Sequence, residues 1–249
     1  MNKIRIDRAV LMLIISLFFP VLSAFADAED SIPFSHRSRE VILRVRPKLV
    51  KELSNRELEF GSPVYLRIFK EERVMEVWVK KDSSFALFKD YDICTYGSKG
   101  LGPKIRQGDG KAPEGFYYVT PARLNPNSRF HLSFNLGYPN RYDRAHGRTG
   151  GALMVHGDCV SIGCFAMTNP GIEEIYALAD AALRNGQPFF RVHIFPFRMT
   201  GKKMEKHSGS EWFTFWKNLR EGYDFFEENG NLPPNVEVEG ERYIFEASR

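Results

Sequence analysis

The stretch Ala152-Leu153-Met154-Val155-His156-Gly157-Asp158-Cys159-Val160-Ser161-Ile162-Gly163-Cys164 governs the reading of the whole chain. Ala152 to Val155 is a short apolar run that reads as a buried strand ending at His156, and the tight glycine-containing loop after it ends on a cysteine. A thiol becomes a strong nucleophile as thiolate, and an imidazole within hydrogen-bond reach can take its proton. Gly163 lets the backbone turn closely before Cys164, so the amides of Gly163 and Cys164 are candidates for stabilising an oxyanion. These parts suffice for acyl transfer, with Cys164 as nucleophile and His156 as base. Two other readings stay open on the residues alone. One is a buried structural cysteine and a satisfied core histidine. The other is a zinc site drawn from His146, His156, Asp158, Cys159 and Cys164, although their spacing lacks the paired arrangement of common structural sites.

Working outward, the chain holds three cysteines, Cys94, Cys159 and Cys164. An odd count in an oxidising compartment leaves at least one thiol unpaired or paired to another molecule. That compartment is indicated by the first residues, where Lys3, Arg5 and Arg8 precede an apolar stretch from Ala9 to Leu22 and then Ser23-Ala24-Phe25-Ala26. A basic start, a short apolar middle and an Ala-x-Ala end predict a signal peptide over 1–26. The stretch is shorter than the roughly 20 residues a spanning helix needs, so no transmembrane anchor is expected after cleavage. Removing it takes away three basic residues and one acid, lowering the formal charge from +4 to +2. A near-neutral product without a concentrated basic face argues against nucleic-acid binding.

The remaining chain divides by pattern. Residues 27–60 are charged, with Arg, Lys and Glu interleaved among Val41, Ile42, Leu43, Val45, Leu49 and Leu53, and part of the segment reads as a helix broken or begun near Pro47. Val64 to Phe69 and Val74 to Val79 form a hairpin across Lys70-Glu71-Glu72-Arg73, and Phe85 to Cys94 reads as a third strand. A glycine-rich loop follows from Tyr96 to Pro103, then a strand at Phe116 to Val119, then a long polar connection from Pro121 to Gly150. Asn169 as cap and Pro170 at the first position open a helix that stops at Asn185-Gly186. Phe189 to Phe195 is a last core strand. The tail, 199–249, carries Trp212, Phe215, Trp216 and Leu219 at helical spacing and a strand-like run from Val236 to Phe245. The expected fold is mainly β with helical additions at both termini.

Val155-His156-Gly157 followed by Ser161-Ile162-Gly163-Cys164 resembles the signature of the YkuD-type L,D-transpeptidases, in which His-Gly precedes Ser/Thr-x-Gly-Cys. The likeness extends to the opening hairpin, the Tyr96 to Gly102 loop and Gly108-Asp109 with Ala112-Pro113-Glu114-Gly115-Phe116. It covers roughly residues 61–198, and the core and aromatic tail resemble the YafK type within the family. The resemblance implies a β-sandwich and assigns Cys164 as nucleophile, His156 as base and the Gly157 carbonyl as its orienter. It makes Tyr142, Arg144, His146 and Ser161 candidates for holding substrate. It also implies a periplasmic enzyme acting on peptidoglycan stem peptides at meso-diaminopimelate, with no cofactor and no metal. For the YafK type the expected outcome is hydrolytic release of a wall-linked outer-membrane lipoprotein; cross-linking and carboxypeptidase outcomes are the alternatives. A noncatalytic wall-binding module is the alternative of another class, and a zinc hydrolase a third.

This sequence departs from most relatives in three places. His156 and Cys164 are closer together, Ile162 replaces the usual histidine, and Ala166 stands where an arginine is usual. These differences bear on the shape and charge of the pocket. Once Cys164 is assigned as nucleophile, Cys94 and Cys159 are expected to pair, with Cys159–Cys164 as a rival pairing that would silence the thiol.

Overall fold

The computed structural model describes residues 32–97 and 100–247. The expected signal peptide and Ser98-Lys99 of the glycine-rich loop lie outside the described residues. Eleven strands and five helices are present among those described. Nine strands form one mixed sheet in the order β4-β9-β1-β2-β3-β8-β7-β6-β5.

The hairpin β1 (Val64–Phe69) and β2 (Val74–Lys81) forms as the alternation predicts, with Val64, Leu66 and Ile68 on one face. The following strand, β3 (Ser84–Thr95), is long enough to serve two half-sheets. Its first residues pair with β2 and its last, Ile93 and Thr95, pair with β8 (Phe165–Met167). One half continues through β9 (Phe190–Phe195), parallel to β1, to β4 (Gly115–Val119). The other runs from β8 to a parallel β7 (Met154–His156), then to β6 (Ser133–Asn135) and β5 (Leu124–Asn125). Both halves contribute to one apolar core, in which Phe134 of β6 meets Phe190 of β9 edge to face at 5.3 Å. The chain is thus mainly β and sandwich-like, as expected.

Helix α1 (His36–Ser54) starts on a capping box between Ser35 and Ser38 and runs through Pro47 unbroken. The expected break fails because Leu43, whose carbonyl loses its partner to the proline, is 71% exposed, so water can satisfy it. A second helix, α2 (Arg141–Ala145), is short and lies within the long connection. The third, α3 (Asn169–Arg184), carries the chain from β8 to β9 and packs on β1 and β6. Its cap is Thr168, whose hydroxyl accepts from the Gly171 N–H, rather than Asn169. Arg44 pairs with Glu173, and Lys48 with Glu174, tying α1 to α3 over the buried Leu49 and Leu53.

The long polar connection holds β5, β6 and α2, because Leu132, Phe134 and Leu136 alternate into the core between polar neighbours. The tail differs from a single strand-like run: β10 (Asn235–Glu239) and β11 (Arg242–Glu246) pair as a hairpin. With α4 (Gly201–Lys206) and α5 (Phe213–Glu228), this hairpin covers the outer face of the β4-β9-β1 half. Phe69, Phe116 and Phe195 from the sheet meet Phe215, Trp216, Leu219 and Tyr243 from the tail in a second core. Beneath it Arg67 is buried among Phe69, Trp78, Tyr223 and Phe226, with Glu227 accepting from Nη1 at 2.7 Å. No helix among the described residues is long and apolar enough to cross a membrane.

Candidate active site

The parallel pairing of β7 with β8 places Val155 opposite Phe165 and His156 opposite Ala166. Val155, Phe165 and Met167 belong to the core, and Cys164 packs partly buried against its edge, while His156 alternates away from Val155. Cys164 immediately precedes β8, two residues before the Ala166 that faces His156, so the sheet register brings the thiol and the imidazole onto neighbouring segments. Ala166, fully buried and directly across from His156, keeps that position free of bulk. Cys164 is half-buried, and its sulfur accepts from the Met154 N–H at 3.4 Å and lies 3.6 Å from the Ala152 carbonyl.

His156 is buried beneath Phe130, ring to ring at 4.7 Å, and its Nδ1 lies 2.7 Å from the Gly157 carbonyl. A carbonyl can only accept, so Nδ1 carries the proton and Nε2 keeps the lone pair that a base needs. Burial lowers the His156 pKa, opposed by the Gly157 carbonyl and the charge of Asp158. Burial likewise raises the Cys164 pKa, opposed by the Met154 N–H and the positive charge of Lys104. Both shifts favour the neutral thiol and neutral imidazole at rest. Lys104, held by Asp109 at 2.7 Å, thus provides positive charge near the thiol.

A disulfide joins Cys94 of β3 to Cys159 of the loop, leaving Cys164 as the free cysteine among the described residues. Asp158 and Cys159 both have left-handed backbone, at φ 66° and 49°, so the loop adopts a conformation that non-glycine residues rarely take. The glycine-rich segment presses on the other side. A Cβ on Gly97, at φ 107°, would stand 2.4 Å from the Gly110 carbonyl and 3.4 Å from the Gly163 Cα. Below this segment Lys70 and Glu114 form a buried pair at 2.9 Å. Lys70 also donates to the carbonyls of Gly102 and Ala112, while Glu114 accepts from the Gly102 N–H and the Trp216 indole. Every polar atom of the pair has a partner, so a buried charge network holds the segment in place.

Several sequence-predicted residues are placed differently. The Gly163 N–H donates to Ser161 Oγ at 3.0 Å, so it is occupied rather than aimed at an oxyanion. Among the described residues the Cys164 amide has no such partner. Ser161, whose hydroxyl also donates to the Cys164 carbonyl at 2.7 Å, braces the loop. Tyr142 is only 4% exposed and stacks on Tyr243 at 4.2 Å and on His146 at 4.1 Å in the second core. Arg144 is exposed and donates to the Pro139 carbonyl, and His146 Nδ1 lies 3.0 Å from the Tyr142 carbonyl. These three contacts run to the tail and the local turn, away from Cys164 and His156. Among the described residues no three of His, Cys, Asp and Glu converge as metal donors, and Cys159 is committed to the disulfide.

Phe130 and Lys104 carry no mark in the sequence that ties them to the site, whereas Ala152 shows there only as a strand start and Asn169 only as a polar residue at a helix start.

A sequence model of the L,D-transpeptidase catalytic domain (YkuD) matches residues 63–204. The chain is 53% identical over 184 residues, 74% of its own length and 74% of theirs, to YafK proteins of Escherichia coli (strain K12) and Escherichia coli O157:H7, both carrying an L,D-transpeptidase name. Among solved structures it overlaps the helical cell shape determining protein Pgp2 (K307A mutant) of Campylobacter jejuni at a TM-score of 0.43 and 21% identity. That overlap covers 73% of this chain and 65% of that one, so the chain spans just under two thirds of that structure. It also overlaps Bd1075 of Bdellovibrio bacteriovorus at a TM-score of 0.38 and 18% identity, covering 72% of this chain and 78% of that one. The domain match and the YafK likeness establish that the chain belongs to the L,D-transpeptidase (YkuD) family.

Proposed function

We propose that the chain is an exported cysteine enzyme that opens amide bonds at meso-diaminopimelate in peptidoglycan stem peptides. The observation that carries this reading is the 2.7 Å approach of His156 Nδ1 to the Gly157 carbonyl, which keeps Nε2 free as a base on the strand beside the segment that bears Cys164. Because thiol and imidazole both rest neutral, His156 Nε2 takes the Cys164 proton as sulfur attacks the carbonyl at the L-centre. A C–S bond forms, and negative charge develops on the carbonyl oxygen, where the Cys164 amide is the candidate donor. Collapse breaks the C–N bond, and the proton on His156 passes to the leaving amine. The thioester is then resolved by water, with His156 taking a proton from it and returning it to the thiol.

We take water as the acceptor and a lysine-linked outer-membrane lipoprotein as the released group, while the L,D-transpeptidase name of the YafK relatives keeps transfer to an amine as the alternative. The periplasm is the matching compartment, since a Cys94–Cys159 disulfide persists in oxidising surroundings. Incubating the protein with sacculi that do and do not carry linked lipoprotein, followed by mass spectrometry of the fragments, separates the outcomes. Freed lipoprotein supports the amidase reading, new cross-links replace it with transpeptidation, and shortened stems replace it with carboxypeptidase action.

A further inference from the structure

The His156 imidazole is oriented through one peptide group, and Asn169 grips the far end of that group. The Gly157 carbonyl lies 2.7 Å from Nδ1, and the N–H of the same peptide unit, belonging to Asp158, donates to Asn169 Oδ1 at 2.8 Å. The preceding peptide is anchored separately, by the Gly157 N–H donating to the Phe130 carbonyl at 3.0 Å. Asn169 therefore acts on the one peptide plane whose tilt aims the carbonyl at the imidazole.

Three independent features show that this contact is built into the fold. A Cβ on residue 157 would sit 2.4 Å from Asn169 Oδ1, so glycine there is what admits the Asn169 side chain. Asp158 and Cys159 hold left-handed backbone, a conformation kept only where surrounding contacts over-determine it. Capping of α3 is done by Thr168, whose hydroxyl accepts from Gly171 at 3.1 Å, which releases the Asn169 side chain for the loop.

We infer that Asn169 is a positioning residue for the base: it fixes and polarises the Gly157–Asp158 peptide so that Nδ1 keeps the proton and Nε2 stays open. Accepting a hydrogen bond from one end of an amide raises the negative charge on its oxygen, which strengthens the bond to Nδ1–H. The inference rests on His156 being the base under the proposed function, but not on the identity of the substrate.

The test uses ¹⁵N imidazole shifts of His156, measured where the ring is neutral, and the rate of Cys164 alkylation by iodoacetamide. In Asn169→Ala the Nε2–H tautomer is expected to gain population and alkylation to slow by roughly tenfold, the cost of about one hydrogen bond. On wall substrate the same loss should fall on kcat with KM little changed. Asn169→Asp retains the acceptor and should restore the Nδ1–H tautomer. Thr168→Ala, which removes the cap of the same helix, should lower the thermal midpoint and leave the tautomer as in the wild type. An unchanged tautomer and alkylation rate in folded Asn169→Ala overturns the inference. So does a tautomer shift of equal size in Thr168→Ala, or a folded Asn169→Asp that fails to restore Nδ1–H. A wild type that is inert on sacculi, yet shows the tautomer response, refutes the proposed substrate and leaves the positioning role standing.

Discussion

Replacing both Cys94 and Cys159 by serine should destabilise the protein by about 4 kcal/mol, a magnitude that follows from the 65-residue separation the disulfide closes. In the chain-entropy view the cross-link acts on the unfolded state, removing conformations that the reduced chain would regain. The native side adds a local effect, because Cys159 holds a left-handed backbone next to Asp158 in the loop that leads to the nucleophile. Urea unfolding of the oxidised wild type and the double serine variant, extrapolated to water, measures the difference. A loss below about 1 kcal/mol would falsify the claim that this bridge constrains the chain. A thiol count on unfolded, unreduced wild type should find Cys164 alone. In the presence of oxidised glutathione, the single variant Cys94→Ser should be worse than the double one in Cys164 reactivity, since the freed Cys159 can then exchange into a disulfide with Cys164, releasing reduced glutathione.

Cys164→Ala should form no covalent adduct with a carbapenem and no product from sacculi, while His156→Gln should slow adduct formation about 100-fold or more; an inert wall-binding module would show no adduct even in the wild type. The pH profile of Cys164 alkylation should have its midpoint above that of an ordinary cysteine, because burial disfavours the thiolate, and Lys104→Met should push it higher still by removing the opposing charge. A profile that Lys104→Met leaves in place would show that this lysine does not act on the thiol. Lys70→Met strands Glu114 as an unpaired buried charge and should cost about 3–5 kcal/mol in urea unfolding; a cost under about 1 kcal/mol contradicts the network described. Tyr142→Phe and Arg144→Ala should leave KM within about twofold, and a large rise in either would return these residues to the substrate site.

The parts of the molecule that were legible in the sequence are those set by local periodicity. The β1–β2 hairpin shows its alternation and its charged turn, and α3 and α5 show their apolar stripes. His156 and Cys164 could be singled out because a buried strand and a glycine turn place them within a short span of chain. Less legible was anything decided by a contact distant in sequence or by loop geometry. The alternation of Leu132, Phe134 and Leu136 is too short to stand out from its polar surroundings, so β6 was hidden in a connection. Tyr142 looked like a polar loop residue because its partners, Phe215 and Tyr243, come from the far end of the chain. The Gly163 amide looked available because a serine hydroxyl two residues back folds onto it only in this loop conformation. Asn169 and Thr168 are both good caps, and which of them caps α3 depends on the Asp158 N–H standing opposite.

The aromatic cover supplied by the tail also bears on the order in which the chain can finish folding. Phe69, Phe116 and Phe195 lie well before the tail in sequence, yet the residues that shield them run from Phe215 down to Tyr243. During any emergence from N- to C-terminus, the sheet can be assembled while its outer face is still bare. A chain ended after Phe197 would therefore keep this aromatic face exposed and would be prone to associate through it.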